Sequence, residues 1–235
     1  MELLSTTPFV KSRFLCIGWG IKANEKEMSG MEQRYPFPVY PLPYSYVSLM
    51  PHLDADTLYY HHSHYAAQVR ELNRLVVENH LTGLTLSELL FQDLKLPPVR
   101  GAQIKNAAGD VHNHWFYFDG IYSPTSRLPD NRLTREITDT YGSMAQFRQL
   151  LTQAAESVTG SGWVWLIAEG GGLHIAVTRD NRVVGLGSVS PIFVIDLWEH
   201  AYYTMHQFDK AAYINDWFSM INWERADRLF QESQT

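Results

Sequence analysis

Residues 194–203 read "VIDLWEHAYY" and place Asp196, Glu199 and His200 among Trp198, Tyr202 and Tyr203. A stretch this apolar belongs in an interior. A carboxylate taken there costs several kcal/mol unless it is paired or bound to a metal. Either the segment stays on the surface, or the fold brings something positive to Asp196 and His200.

The histidines narrow that choice. There are ten, and they cluster: His61, His62 and His64 in "YYHHSHYAAQV", His112 and His114 in "NAAGDVHNHWFYF", and His200 four residues past Asp196. A lone histidine on a helix is ordinarily a satisfied surface or core residue. Here each cluster has an aromatic, apolar setting and lies far from the others in sequence. A metal site between helices needs ligands that converge from separate elements in this way. One imidazole from each helix of a hairpin, with Asp196 and His200, would give three nitrogens and one oxygen. That set suits zinc, iron or manganese, and spacing does not choose among them.

The chain has 235 residues, 45% hydrophobic and 13% aromatic, enough for one large core or two small ones. A net charge of −6 argues against a nucleic-acid binder working through a global basic surface. No run approaches the roughly 20 apolar residues of a membrane span. The single cysteine, Cys16, excludes an internal disulfide and fits a reducing compartment. The segment "FLCIGWGI" (14–21) is short for a secretory leader and is followed by Lys22 rather than a small-residue cleavage site, so the cytoplasm is the expected location.

Residues 1–33 read as a loosely ordered extension, 34–125 as a helical hairpin domain and 126–235 as an α/β domain. Proline density makes 35–51 an extended arm. A long helix is expected from Asp54 to about Glu78, a short one at Thr85–Glu88 with capping-box spacing, and a third from about Ala102 to Phe118 after a break at "LPPVRG". Ser143 and Gln146 suggest a further capping box. Then "GWVWLIAE", "LHIAVTRD" and "SPIFVID" read as three strands, the first two joined by glycines, before the chain returns to helix. The order argues an α+β fold.

Several strings together resemble the iron/manganese superoxide dismutase family. "LPYSYVSLMPHLDADTLYYHH" resembles its opening segment, "KNAAGDVHNHWFYF" its second-helix motif, "GSGWVWLI" its glycine-tryptophan strand, "DLWEHAYY" its most diagnostic string and "YINDWFSMINWE" its terminal helix, in colinear order from about Leu42 to Arg228. The resemblance implies a helical hairpin followed by a unit with a three-stranded antiparallel sheet. It implies one iron or manganese ion per subunit on His61, His114, Asp196 and His200, and superoxide as substrate. A metal-bound water, rather than a side-chain nucleophile, would share in the chemistry. It also implies a homodimer or tetramer in which Glu199 reaches the partner's ligand histidine. Trp163, Trp198 and Tyr203 would surround the metal.

The surroundings depart from the family pattern. Its second histidine maps to His64 only with a gap, and its gateway tyrosine falls on Gln68 or Val69. Its glutamine beside the metal falls on Asp110, or alternatively near Asn181. Its arginine after the "EHAYY" string falls on Asp209, next to Lys210. A metal-binding protein with weak turnover is therefore one alternative, a zinc-type hydrolase with Asp110 as base another, and a metal-storage scaffold a third.

Overall fold

The computed structural model describes residues 31–122, 128–185 and 187–235. Most of the expected extension, residues 1–30 with Cys16, lies outside that range. Residues 31–33 are not loose: Met31 is buried, and Ser87 and Leu86 donate backbone hydrogen bonds to Met31 and Gln33.

Asp54 ends an extended approach and caps α1 (Ala55–Glu78), its carboxylate accepting from Thr57 N at 2.7 Å. The buried positions of α1 are Thr57, Leu58, His61, Tyr65, Val69, Leu72, Leu75 and Val76, an inward stripe at helical spacing. His61 faces inward because it belongs to that stripe. The capping box expected at Thr85 and Glu88 opens α2 (Leu86–Phe91). The next helix, α3 (Pro98–Gly120), starts four residues earlier than expected, because Pro98 opens the helix instead of breaking it. Helices α1 and α3 pack as the hairpin, with α2 against α3. Residues 35–51 form turns and extended chain with no helix. They are tied down by Tyr44 donating to Phe118 O and by Tyr46 bonding His62 Nδ1.

The second unit holds a helix that the sequence reading omits: α4 (Arg132–Tyr141), opened by a reciprocal cap between Asn131 and Thr134. Helix α5 (Met144–Glu156) has Ser143 as its cap, accepting from Gln146 N, without the reciprocal bond of a full box. Strands β1 (Gly162–Glu169), β2 (Gly172–Arg179) and β3 (Val189–Asp196) form an antiparallel sheet in the order β2-β1-β3. Gly170 and Gly171 turn between β1 and β2 at φ 59° and 82°, where a side chain would be strained. The central strand is buried along nearly its whole length, since α3 and α8 pack on β3 while α4 and α5 cover β2.

Asp196 ends β3 opposite Trp163. His200 follows on a short 3-10 turn, Glu199–Ala201, and α6 (Tyr203–His206) completes the segment. Asp209 caps α7 (Lys210–Met220) by accepting from Ala212 N, so the carboxylate that stands at the place of the family's arginine is engaged as a helix cap. The terminal stretch is two helices. The chain turns at Ile221, which bridges Ile121, before α8 (Trp223–Ser233).

One close approach welds the two units. A Cβ on Gly109 of α3 would fall 1.9 Å from Asn181 O, beyond β2. Gly109→Ala should therefore cost about 1–3 kcal/mol by overpacking, whereas Gly101→Ala, with nothing within 4 Å on the same helix, should gain roughly 0.5–1 kcal/mol. Urea unfolding of the two variants checks the contrast.

Candidate metal centre

Four side chains meet between the units. His61 Nε2 from α1 lies 3.0 Å from Asp196 Oδ2, His114 Nε2 from α3 lies 3.5 Å from it, and His200 Nε2 lies 3.3 Å from it. His114 Nε2 and His200 Nε2 are 3.1 Å apart. His61, His114 and Asp196 are fully buried, and the His200 side chain is 22% exposed.

These residues fit a bound cation. His114 Nδ1 donates to the main-chain oxygen of Asp110 at 2.9 Å, which leaves Nε2 as the lone-pair nitrogen facing the cluster. The other Asp196 oxygen, Oδ1, accepts from Trp198 N at 2.8 Å. Oδ2 alone therefore faces three imidazole nitrogens. Neutral imidazoles crowded on one oxygen need a positive charge among them, and edges of 3.0–3.5 Å suit ligands about 2.1 Å from a shared ion.

Electrostatics agree. Burial lowers the His61 imidazole to about 3, against the opposing pull of Asp196, so it stays neutral and able to bind a cation. Burial alone would raise the Asp196 carboxyl. Hydrogen bonds and charge from His200 and His61 outweigh it and hold the group below the usual carboxylate range. Burial would also lower His114, but Asp110 and Asp196 reverse the sign and raise it.

The expected surroundings are placed differently. Trp163 stands edge-on to His114, ring centroids 5.0 Å apart, and Trp198 stacks on His200 at 5.8 Å. His64 stacks on His200 at 4.0 Å, on the side open to solvent. Gln68 is half-buried on α1, and no hydrogen bond joins it to the cluster among the described residues. Glu199 and Tyr203 are exposed.

Asp110 and Asn181, the two places where the family's glutamine falls, bond each other. Asn181 Nδ2 donates to Asp110 Oδ2 at 2.8 Å. Asp110 Oδ1 then lies 2.8 Å from His114 Nδ1 and 3.9 Å from His64 Nε2, though off the axis of the His114 N–H bond. Sequence reading also passes over Tyr65, fully buried, whose ring stacks 6.2 Å from His114, and Tyr117 and Phe118, whose rings lie 5.0 and 4.8 Å from His61. The i+4 spacing of Tyr65 from His61 is the signal that places it here.

Three histidines, His61 and His112 buried and His64 partly so, carry a pH dependence. His61 is lowered to about 3, and His64 and His112 to about 4, burial being the largest cause in each. Below about pH 6.5 the unfolded chain protonates these groups while the folded chain does not, so stability falls as pH drops. His114, raised, works in the opposite direction. The metal-free protein should therefore lose thermal midpoint steadily from pH 7 to pH 5, with the His112→Phe variant showing a shallower decline in calorimetry.

Sequence comparison agrees with this arrangement. Residues 35–122 match the family described as iron/manganese superoxide dismutases, alpha-hairpin domain, and residues 129–229 match its C-terminal domain. A manganese superoxide dismutase of Thermus aquaticus is 34% identical over 200 residues, covering 84% of this chain and 98% of its own length. An iron superoxide dismutase of Entamoeba histolytica is 34% identical over 184 residues, covering 78% and 93%. A manganese superoxide dismutase of Leptolyngbya boryana is 31% identical over 199 residues, covering 83% and 80%. With both halves of the fold matched and a three-histidine, one-aspartate cluster at their junction, the chain belongs to the iron/manganese superoxide dismutase family.

Proposed function

We propose that this protein disproportionates superoxide to oxygen and hydrogen peroxide at one iron or manganese ion held by His61, His114, Asp196 and His200. The carrying observation is the convergence of three imidazole nitrogens and one carboxylate oxygen, all within 4.8 Å of one another, at the seam of the two units. When bound, iron or manganese supplies one-electron chemistry, since either ion moves between divalent and trivalent states.

The chain's own residues do the rest. Asp196 lends the cluster its one negative charge, and Trp198 N fixes the carboxylate's orientation. The His114 N–H bond to Asp110 O fixes that ring's tautomer. Trp163, Tyr65, Tyr117 and Phe118 pack around the histidines and exclude water, which strengthens every charge interaction inside. His64 and His200 are the partly exposed members, so a small anion would approach past their stacked rings.

The Asp110–Asn181 bond favours turnover below that of a family member with an amide at the metal. The Asn181 amide is spent on a carboxylate. The same bond weighs against a hydrolase, because Asp110 is pinned rather than free to serve a water. No described helix is long and apolar enough to cross a membrane. A cytosolic location is part of the reading and rests on the single cysteine.

Metal analysis and a superoxide assay on one preparation test the proposal. Near-stoichiometric iron or manganese with superoxide turnover is expected. Asp196→Ala should lose most of the metal, the activity and several degrees of thermal midpoint, since bound metal adds folding free energy. Full metal occupancy in that variant would break the ligand assignment.

The reading includes a homodimer. Glu199 is exposed beside His200 and Tyr203 is 55% exposed on the same segment, and this exposure supports a contact from Glu199 to a partner's histidine across a two-fold axis. Sedimentation at micromolar concentration should show a dimer, and Glu199→Ala should weaken association and metal retention together. A metal-loaded monomer would overturn this part.

A further inference from the structure

The centre depends on two segments from opposite units staying in register. His61 comes from the first turns of α1, and His200 from a 3-10 turn of three residues. Ala201 and Tyr202 are buried, but the stretch after them is weakly anchored. Helix α6 has four residues, of which only the His206 side chain is covered, no side-chain cap, and a following residue, Gln207, at φ 53°. Phe208 beyond it is 87% exposed. A ligand on such a segment would drift unless something outside the centre held it.

One carboxylate does so from both sides. Asp216 on α7 bonds His206 Nε2, at the end of α6, through Oδ2 at 3.0 Å. Its Oδ1 bonds His52 Nδ1, in the turn leading to the α1 cap, at 2.7 Å. His52 lies nine residues before His61, and His206 six residues after His200. The His206 side chain is 5% exposed and its Nδ1 has no partner, so Asp216 makes its one side-chain hydrogen bond among the described residues. Its ring also leans on Tyr213, centroids 5.7 Å apart, and Tyr202 stacks on Tyr213 at 5.1 Å, closing the segment onto α7.

We infer that Asp216 is a positioning residue for the metal centre: with His52 and His206 it brackets the seam and fixes the spacing between the ligand segments of α1 and of the 3-10 turn. This rests on the metal-centre reading. The bracket touches no ligand, so it acts through the backbone on either side of the seam. Its loss should loosen metal retention and coordination geometry more than it loosens the metal-free fold.

The test compares manganese-loaded wild type, Asp216→Ala, Asp216→Asn and Arg148→Ala. Arg148 is a useful control because it ties α5 to α7 through Asn215 and Phe218. Three quantities are read: the rate of manganese release to a chelator, the Mn(II) EPR pattern, and the thermal midpoint of each metal-free protein. Asp216→Ala should release manganese about tenfold faster with an altered EPR pattern, the range seen for outer partners of metal ligands. Its metal-free midpoint should fall no further than that of Arg148→Ala. Asp216→Asn can still accept from His52 and donate to His206, and should stay near wild type. Should Asp216→Ala fail to fold, His52→Ala removes one arm only and should still speed release.

Release at the wild-type rate with an unchanged spectrum, in Asp216→Ala or in His52→Ala, overturns the bracket alone. So does a faster release that merely tracks a fallen metal-free midpoint. A wild-type protein that takes up neither manganese nor iron overturns the metal-centre reading, and the bracket with it.

Discussion

Asp196 is a carboxylate with no exposure to water, and the rest of the structure answers to it. One oxygen is satisfied by the backbone of Trp198, and the other faces three imidazole nitrogens. Hydrogen bonds from neutral histidines cannot alone repay the loss of hydration of that charge. A cation among the four can, because it is itself compensated by the carboxylate and sits where lone pairs already point. The requirement reaches outward. Helices α1 and α3 must each turn a histidine inward, and β3 must end where its last side chain meets them.

The site therefore belongs to neither unit alone. His61 and His114 come from the hairpin, Asp196 and His200 from the sheet domain, and the seam between them is tied at several further places. Gly109 lies against the backbone of Asn181, Asn181 bonds Asp110, Arg225 on α8 bonds Asp119 on α3 at 2.5 Å, and Asp216 reaches His52. Close-packed aromatic rings fill the space between these ties, and interiors packed this way hold their geometry against small strains. A metal centre assembled across a seam needs such rigidity, since a ligand misplaced by a fraction of an ångström binds poorly.

Much of this was legible in the sequence because it rests on short-range rules. The histidine clusters around His61 and His114, each in an aromatic and apolar setting, show ligands that converge from separate elements. The apolar setting of Asp196 shows that its charge must be met. The run "GWVWLIAEGGGLHIAVTR" shows a hairpin with a glycine turn. Other features depended on tertiary contacts that no local pattern encodes. Pro98 could break a helix or open one, and packing of α3 on its neighbours decides for opening. Helix α4 has few apolar residues, and its buried face is only Leu133, Thr134 and Ile137. The bond between Asp110 and Asn181 joins residues 71 apart in sequence, and the Asp216 bridge to His52 spans 164, so neither can be read from spacing.

Anomalous diffraction from crystals of the purified protein, collected on either side of the iron, manganese and zinc absorption edges, tests the centre most directly. Expected is one peak per chain, at the iron or manganese edge, about 2.1 Å from His61 Nε2, His114 Nε2, His200 Nε2 and Asp196 Oδ2. A peak that appears only at the zinc edge, or none between those four atoms, would contradict a redox metal at the seam.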